Sequence, residues 1–374
     1  MSETPLVRLG DILDVTALEG AIGDGLVSAR PHPNQRLYIL NYTPAAQYSR
    51  QWSHEVKLCR GLIIEGVPND PDSRVVARPF AKFANLGEFG TDSAFGELPE
   101  ASSLEVTEKL DGSLGVVYFD GDEWAVATRG AFTSPQAVAA TRLWRQRYQD
   151  VRIPPNVTLL CEYVAPWNRV VVAYPDEQLI AIAAIDIATG ADTDMDWWSG
   201  PRARVYRELR DLDVLRERVV NEDTGNAEGF VVRFTGEPGV ASVRAKVKYA
   251  EYLRLHRLAT GISTQSIWEH LSGGLSLDEL LEIVPDEFYR FVSETVDELT
   301  RAKESLVQSA QELARRVSGL ERKDAARVVT RESRDVAAVC FVILDGKDPN
   351  DLAWKFTKPE FKIPQYREPN ESEN

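Results

Sequence analysis

The sequence predicts an α+β chain: a domain of antiparallel sheets with flanking helices over residues 1–250, then an all-α domain over residues 251–374. Two observations carry this prediction. Short apolar runs separated by Gly, Asp and Pro breaks fill the first part, as strands joined by turns do. Beyond about residue 250 the apolar residues recur at three- and four-residue steps, which is helical periodicity. A chain of 374 residues has room for two domains, each with its own core.

In order along the chain, LEVTEKL (104–110), LGVVYFD (114–120) and EWAVATR (123–129) are strand-like, with Gly121-Asp122 as the hairpin turn between the last two. TLLCEYV (158–164), RVVVAY (169–174), LIAIAAIDI (179–187), GFVVRF (229–234) and VRAKVKY (243–249) read as further strands. Ser134-Pro135, a capping residue followed by proline in the first turn, starts a helix that runs through Trp144 to about Tyr148. A second helix covers Arg202–Val219. In the later part Ser276–Val284, Asp286–Val317 and Arg322–Leu344 read as helices, and the polar tail PNESEN (369–374) as a frayed end.

The apolar fraction of 43% and charged fraction of 27% are those of a folded protein. No apolar run approaches the ~20 residues of a membrane span, and the start MSETPLVRLGDILDV lacks a signal-peptide layout. Cys59, Cys161 and Cys340 are far apart and set in apolar runs. They read as reduced core thiols, which gives the expectation of a cytoplasmic protein and excludes a Cys-based zinc cluster. A net charge of −15 opposes attraction of a polyanion to a broad surface, so a nucleic-acid reader of this composition needs a basic cleft on an acidic body. Arg142, Arg145 and Arg147, and Arg202, Arg204, Arg207 and Arg210, read as solvated helix faces.

The segment EKLDGSLG (108–115) places Lys109 at a strand end before an Asp-Gly turn. Such a turn lets a ligand approach the backbone closely; equally, it is an ordinary hairpin connector beside a solvated lysine. In AKVKY (245–249), Lys246 and Lys248 alternate and so share a strand face. That row is either a sheet edge guarded by lysine or a cationic strip for phosphate. Glu162 lies inside a strongly apolar strand, where an unpaired carboxylate is costly, and Glu228 opens a strand just before a glycine. Each fits a structural ion pair, or a ribose or metal ligand.

These four segments stand in the order and spacing of motifs I, III, IV and V of the covalent nucleotidyltransferase superfamily, which contains RNA ligases, DNA ligases and mRNA capping enzymes. CRGLIIE (59–65), RPFAKFANLGE (78–88), YVAPWNRVVVAYP (163–175) and KVKYAEYLRLH (246–256) are similar to the bacteriophage RNA ligase 1 family, which acts in tRNA repair. The resemblance covers roughly residues 36–256. DNA ligases and capping enzymes follow their last lysine motif with a small β-barrel, whereas here the chain turns helical, as in the RNA ligase 1 family.

The resemblance implies a ligase-type nucleotidyltransferase domain over residues 1–250 and ATP-dependent joining of RNA 5′-phosphate and 3′-hydroxyl ends. Lys109 would be the nucleophile toward ATP, with Lys246 and Lys248 supplying the cationic field that favours a free amine and neutralises phosphoryl oxygens. Glu162 matches the ribose ligand and Glu228 a metal-associated carboxylate. Asp111 would reach the metal, Mg²⁺ or Mn²⁺, through water, or simply form the turn that Gly112 keeps tight. Arg60 and Lys82 match the holders of the ATP β- and γ-phosphates. Arg129, followed by Gly130-Ala131, stands where the family has a basic residue in a Lys-Gly-Ser-like element, keeping the charge without the hydroxyl. Phe83 is followed by Ala84 where the family often has a second aromatic. Tyr252 and His256, at i and i+4, are read as packing residues. The C-terminal helices match no motif; they fit recognition of a broken tRNA loop, of another RNA, or of a protein partner. Another superfamily enzyme and a catalytically inactive RNA-binding homologue are the alternatives, the latter disfavoured because Lys109, Glu162, Glu228, Lys246 and Lys248 are all present.

Overall fold

The computed structural model describes residues 6–91, 93–99, 103–222, 226–235, 239–250, 252–253, 256, 261–274 and 288–362. The chain divides into two compact units, the first Met1–Ala259 with Arg367–Asn374 and the second Thr260–Tyr366.

Among its described residues the first unit holds three sheets. Strands β1 (Val27–Pro31), β2 (Leu37–Tyr42), β3 (Arg60–Glu65) and β4 (Arg74–Ala77) form an antiparallel sheet in chain order. The others are β5 (Ala84–Asn85), β6 (Ser103–Lys109), β7 (Ser113–Phe119), β8 (Trp124–Thr128), β9 (Val157–Val164), β10 (Gln178–Asp186), β11 (Asp192–Thr193), β12 (Gly229–Thr235) and β13 (Val243–Lys248). They build a second, antiparallel sheet, β11-β10-β9-β7-β8, and a third, β5-β13-β12-β6, in which only the short β5 runs parallel to its neighbour.

Alternation explains the layering. Leu37, Ile39 and Ile63 of the first sheet meet Val116, Tyr118, Ala127, Leu160 and Ile185 of the second in one buried cluster. The other face of the second sheet is covered by Ala139, Ala140, Leu143 and Trp144, from the helix Pro135–Arg147, whose Ser134 cap accepts from the Ala137 N–H. Helices Val15–Gly23 and His54–Leu58 cover the outer face of the first sheet. Phe230, Val232, Phe234 and Val247 of the third sheet pack against Leu215 and Val219 of the helix Leu212–Asn221.

Two expectations for this unit are corrected. RVVVAY (169–174) is not a strand but a loop: side chains rather than a neighbouring strand take its backbone donors, Asp111 those of Val171 and Val172, Asn226 that of Ala173. An apolar β-branched run looks the same in sequence whether strands or side chains satisfy it. The expected helix Arg202–Val219 begins only at Leu212, because Asp211 caps it by accepting from the Asp213 and Val214 N–H groups. The residues before it run along strand edges, with the Ala203 N–H donating to Ala181 O and the Tyr206 N–H to Val106 O.

The second unit is helical among its described residues: Thr264–Ser272, Tyr289–Val317, Arg322–Val329, Arg334–Leu344 and Asn350–Phe356. The expected helix Arg322–Leu344 is two helices, the second started by Ser333, whose hydroxyl accepts from the Val336 N–H. The expected helix Ser276–Val284 lies outside the described residues. No described helix is long and apolar enough to cross a membrane.

Candidate active site

The register of the third sheet creates the central cluster. Gly229 of β12 stands opposite Lys109 of β6 on one side and opposite Lys248 of β13 on the other. Directly opposed residues share a face, and two strand spacings separate the lysine backbones by roughly 10 Å. The position between them has to be glycine: its φ is +151°, and a Cβ there would lie 2.1 Å from Val247 O. The carboxylate of the preceding Glu228 enters the gap, 2.7 Å from Lys109 Nζ and 3.4 Å from Lys248 Nζ. Glu228 is 4% exposed and Lys109 20%, so the pair is largely withdrawn from water. Lys246, also buried, shares the face of Lys248 and is in register with Asn85 of β5. That parallel pairing brings the segment after Lys82 and Phe83 beside the lysine strand.

The turn after Lys109 is fixed from three directions. Asp111 is buried; one carboxylate oxygen accepts from the Val171 and Val172 N–H groups at 2.9 and 2.8 Å, and the other accepts from Tyr252 Oη at 2.9 Å. The Asp111 N–H in turn donates to Tyr174 Oη. Most of its acceptor capacity is thereby used, and of the two roles expected for Asp111, turn formation and a water-mediated metal contact, these bonds serve the first: it clamps the 169–174 loop to the turn. Tyr252, read as packing, is part of that clamp, while its ring also meets His256 edge-on at 5.7 Å. Gly112 has no room for a side chain, since a Cβ would lie 2.3 Å from Tyr163 O. Its N–H donates to Glu162 Oε1 at 3.2 Å.

Glu162, on β9, is pushed up from 4.5 to about 7. Burial is the main cause; Lys109 and Arg60 pull it down, while Glu228 and Asp111 push it up. The same interactions show that Glu162 feels Lys109, Glu228 and Arg60 together.

Arg60, Lys82 and Arg129 gather on aromatic rings. The Arg129 guanidinium donates to Tyr42 Oη at 2.9 Å and lies 5.0 Å from the centre of that ring. Lys82 Nζ is 5.5 Å from the Tyr42 ring and 5.4 Å from Trp52. Arg60 lies 4.9 Å from the centre of the Phe80 ring and 5.5 Å from that of Phe83, and a second guanidinium over Phe80, at 4.7 Å, is Arg244. Arg244 is buried and ion-paired with Asp192.

Sequence reasoning missed Tyr42, Trp52, Phe80 and Arg244. Arg244 carried a usable signal, since it extends the Lys246, Lys248 alternation by two residues. The aromatic residues carried none, because rings that hold cations and rings that fill cores look alike in sequence.

A divalent metal fits this donor set as an ion shared with phosphate. Among the described residues no group of three or more His, Cys, Asp or Glu side chains could hold one alone, whereas Mg²⁺ commonly takes one or two carboxylates and completes its shell with water and substrate phosphates. Glu228, with Glu162 nearby, is the available carboxylate.

Comparison with known proteins gives one family model, described as RNA ligase, which matches residues 58–252, just over half of the chain. A putative RNA ligase from Thermovibrio ammonificans is 27% identical over 262 residues, covering 64% of this chain and 66% of that protein. RNA ligase 1 of bacteriophage TS2126 is 27% identical, covering 73% and 70%. A putative bifunctional polynucleotide kinase/RNA ligase from Autographa californica nuclear polyhedrosis virus is 26% identical over 62% of this chain, which spans only 35% of that longer protein.

Proposed function

The chain belongs to the RNA ligase family, and on that premise we propose that it joins RNA 5′-phosphate and 3′-hydroxyl ends at the expense of ATP, with Lys109 as nucleophile. The observation that carries this reading is the Lys109–Glu228–Lys248 cluster beside Glu162. In the first step Lys109 Nζ, having lost a proton, attacks the α-phosphorus of ATP; the bond to the bridging oxygen breaks and pyrophosphate leaves. The RNA 5′-phosphate then takes the AMP from the lysine, and a 3′-hydroxyl displaces AMP from that activated end.

The residues divide this work. An ammonium paired with a carboxylate has no lone pair to attack with, so Lys109 must leave Glu228 first. Lys248, 3.4 Å from the same carboxylate, stays as its partner when Lys109 departs. Lys246 and Lys248 then face the charge that grows on the phosphoryl oxygens. Arg60, Lys82 and Arg129 hold the departing phosphates, and Glu162 the ribose. Mg²⁺ or Mn²⁺ on Glu228 would neutralise phosphate charge.

Labelling tests this directly. Incubation with α-labelled ATP and magnesium attaches label to the protein, and Lys109→Ala abolishes it; a wild-type protein that takes up no label over a range of metals and pH overturns the reading. Broken tRNA is the substrate class the phage-type resemblance favours, and assaying nicked tRNA, single strands and splinted duplexes side by side decides it. The buried free thiols Cys59, Cys161 and Cys340 support a reducing, cytoplasmic setting.

A further inference from the structure

Trp167 is 53% exposed although it is one of the largest apolar side chains in the protein. It sits on a short turn, Pro166–Asn168, that is tied to the segment following Lys109 on both sides. Before the loop crosses, Asn168 Nδ2 donates to Ser113 Oγ at 3.1 Å and to Tyr163 O at 3.3 Å. After it, the Val171 and Val172 N–H groups donate to Asp111. Gln136 Nε2 donates to Asn168 Oδ1 and fixes the amide. The Tyr163 ring lies 5.9 Å from the indole, tilted by 52°, so one side of Trp167 is supported. Exposed Arg169 is two residues further on, its Nε donating to Val171 O.

We propose that Trp167 and Arg169 form a contact for a nucleotide at the RNA end being joined, the base stacking on the indole and the guanidinium meeting the adjacent phosphate. This rests on the RNA-joining reading. A net charge of −15 works against long-range attraction of RNA, so binding has to come from local contacts. Stacking supplies one that needs no basic surface and accepts any base. The indole keeps one exposed side, and the hydrogen bonds of the neighbouring residues, Asn168 to Ser113 and Val171 and Val172 to Asp111, tie its turn to the segment that follows Lys109.

The experiment separates the ATP step from the RNA step. In Trp167→Ala, self-labelling by ATP alone stays at the wild-type rate while the KM for a 5′-phosphorylated oligoribonucleotide rises on the order of tenfold. Trp167→Phe keeps most of the affinity. Arg169→Ala weakens binding and makes it less dependent on salt. A wild-type KM in Trp167→Ala overturns the proposal, as does an equal loss of self-labelling, which marks a structural role. If wild-type protein is never labelled, the joining reading fails by itself. Anisotropy of a 3′-fluorescein oligoribonucleotide then still decides whether Trp167→Ala binds RNA more weakly.

Discussion

Lys109 and Lys248 share one carboxylate, that of Glu228, which lies between them because both lysines stand opposite the side-chain-free Gly229. A buried carboxylate with two cationic partners tolerates the loss of either one better than the loss of both. Lys109→Ala therefore leaves Glu228 with Lys248 and costs about 1 kcal/mol, and Lys248→Ala behaves alike. The double variant strands the charge and costs about 3–5 kcal/mol. Urea unfolding of the four proteins measures the coupling; strictly additive losses would mean that Glu228 is not shared.

Asp111 is expected to act on stability rather than on metal affinity. Asp111→Ala leaves the Val171 and Val172 N–H groups and Tyr252 Oη without their acceptor. An unsatisfied buried donor costs about 1–3 kcal/mol, so a loss of several kcal/mol follows, with Tyr252→Phe near the lower end. Asp111→Asn, which keeps one acceptor oxygen, leaves the magnesium dependence of self-labelling unchanged. A large rise in the magnesium needed by a folded Asp111→Asn protein would make Asp111 a ligand after all.

The strands were legible where side chains alternate against a core, as in β7, β9, β10 and β12, because that pattern is dictated by burial on one face. The 169–174 loop was not, since the feature that makes it a loop is a carboxylate 60 residues away in sequence. The start of the helix at Leu212 was missed for a similar reason: edge hydrogen bonds to Ala181 and Val106 hold the preceding segment extended. At the site, the residue types on the third sheet were readable from spacing. The sharing of Glu228 was not, because it depends on a three-strand register centred on Gly229.

Phe80 carries two guanidinium groups over its ring, Arg60 at 4.9 Å and Arg244 at 4.7 Å. Each contact contributes about 0.5–2 kcal/mol, and together they hold Arg60 at a fixed distance from the lysine strand. Phe80→Leu should raise the KM for ATP about tenfold with a smaller change in kcat, as expected for a group that holds the phosphates and takes no part in the chemistry. Phe80→Tyr keeps the ring and should restore the KM. If the tyrosine variant is as impaired as the leucine one, the ring is filling space and does not position Arg60.

Glu162 gives the pH dependence its sign. Its carboxyl is raised from 4.5 to about 7, chiefly by burial, so between those values the folded protein holds a proton that the unfolded chain has released. Stability falls with rising pH wherever the unfolded state binds fewer protons. The contribution of Glu162 is thus most favourable below pH 4.5, declines through the window up to about 7, and is constant above it. Glu162→Gln, similar in shape but unable to titrate, lacks this decline. Unfolding midpoints measured for both proteins at pH 5, 6, 7 and 8 should show the variant gaining on wild type up to about pH 7, with a constant difference beyond. A difference between the two proteins that is already constant from pH 5 upward would mean that its partners, Lys109 and Arg60, outweigh burial and hold the carboxylate ionised.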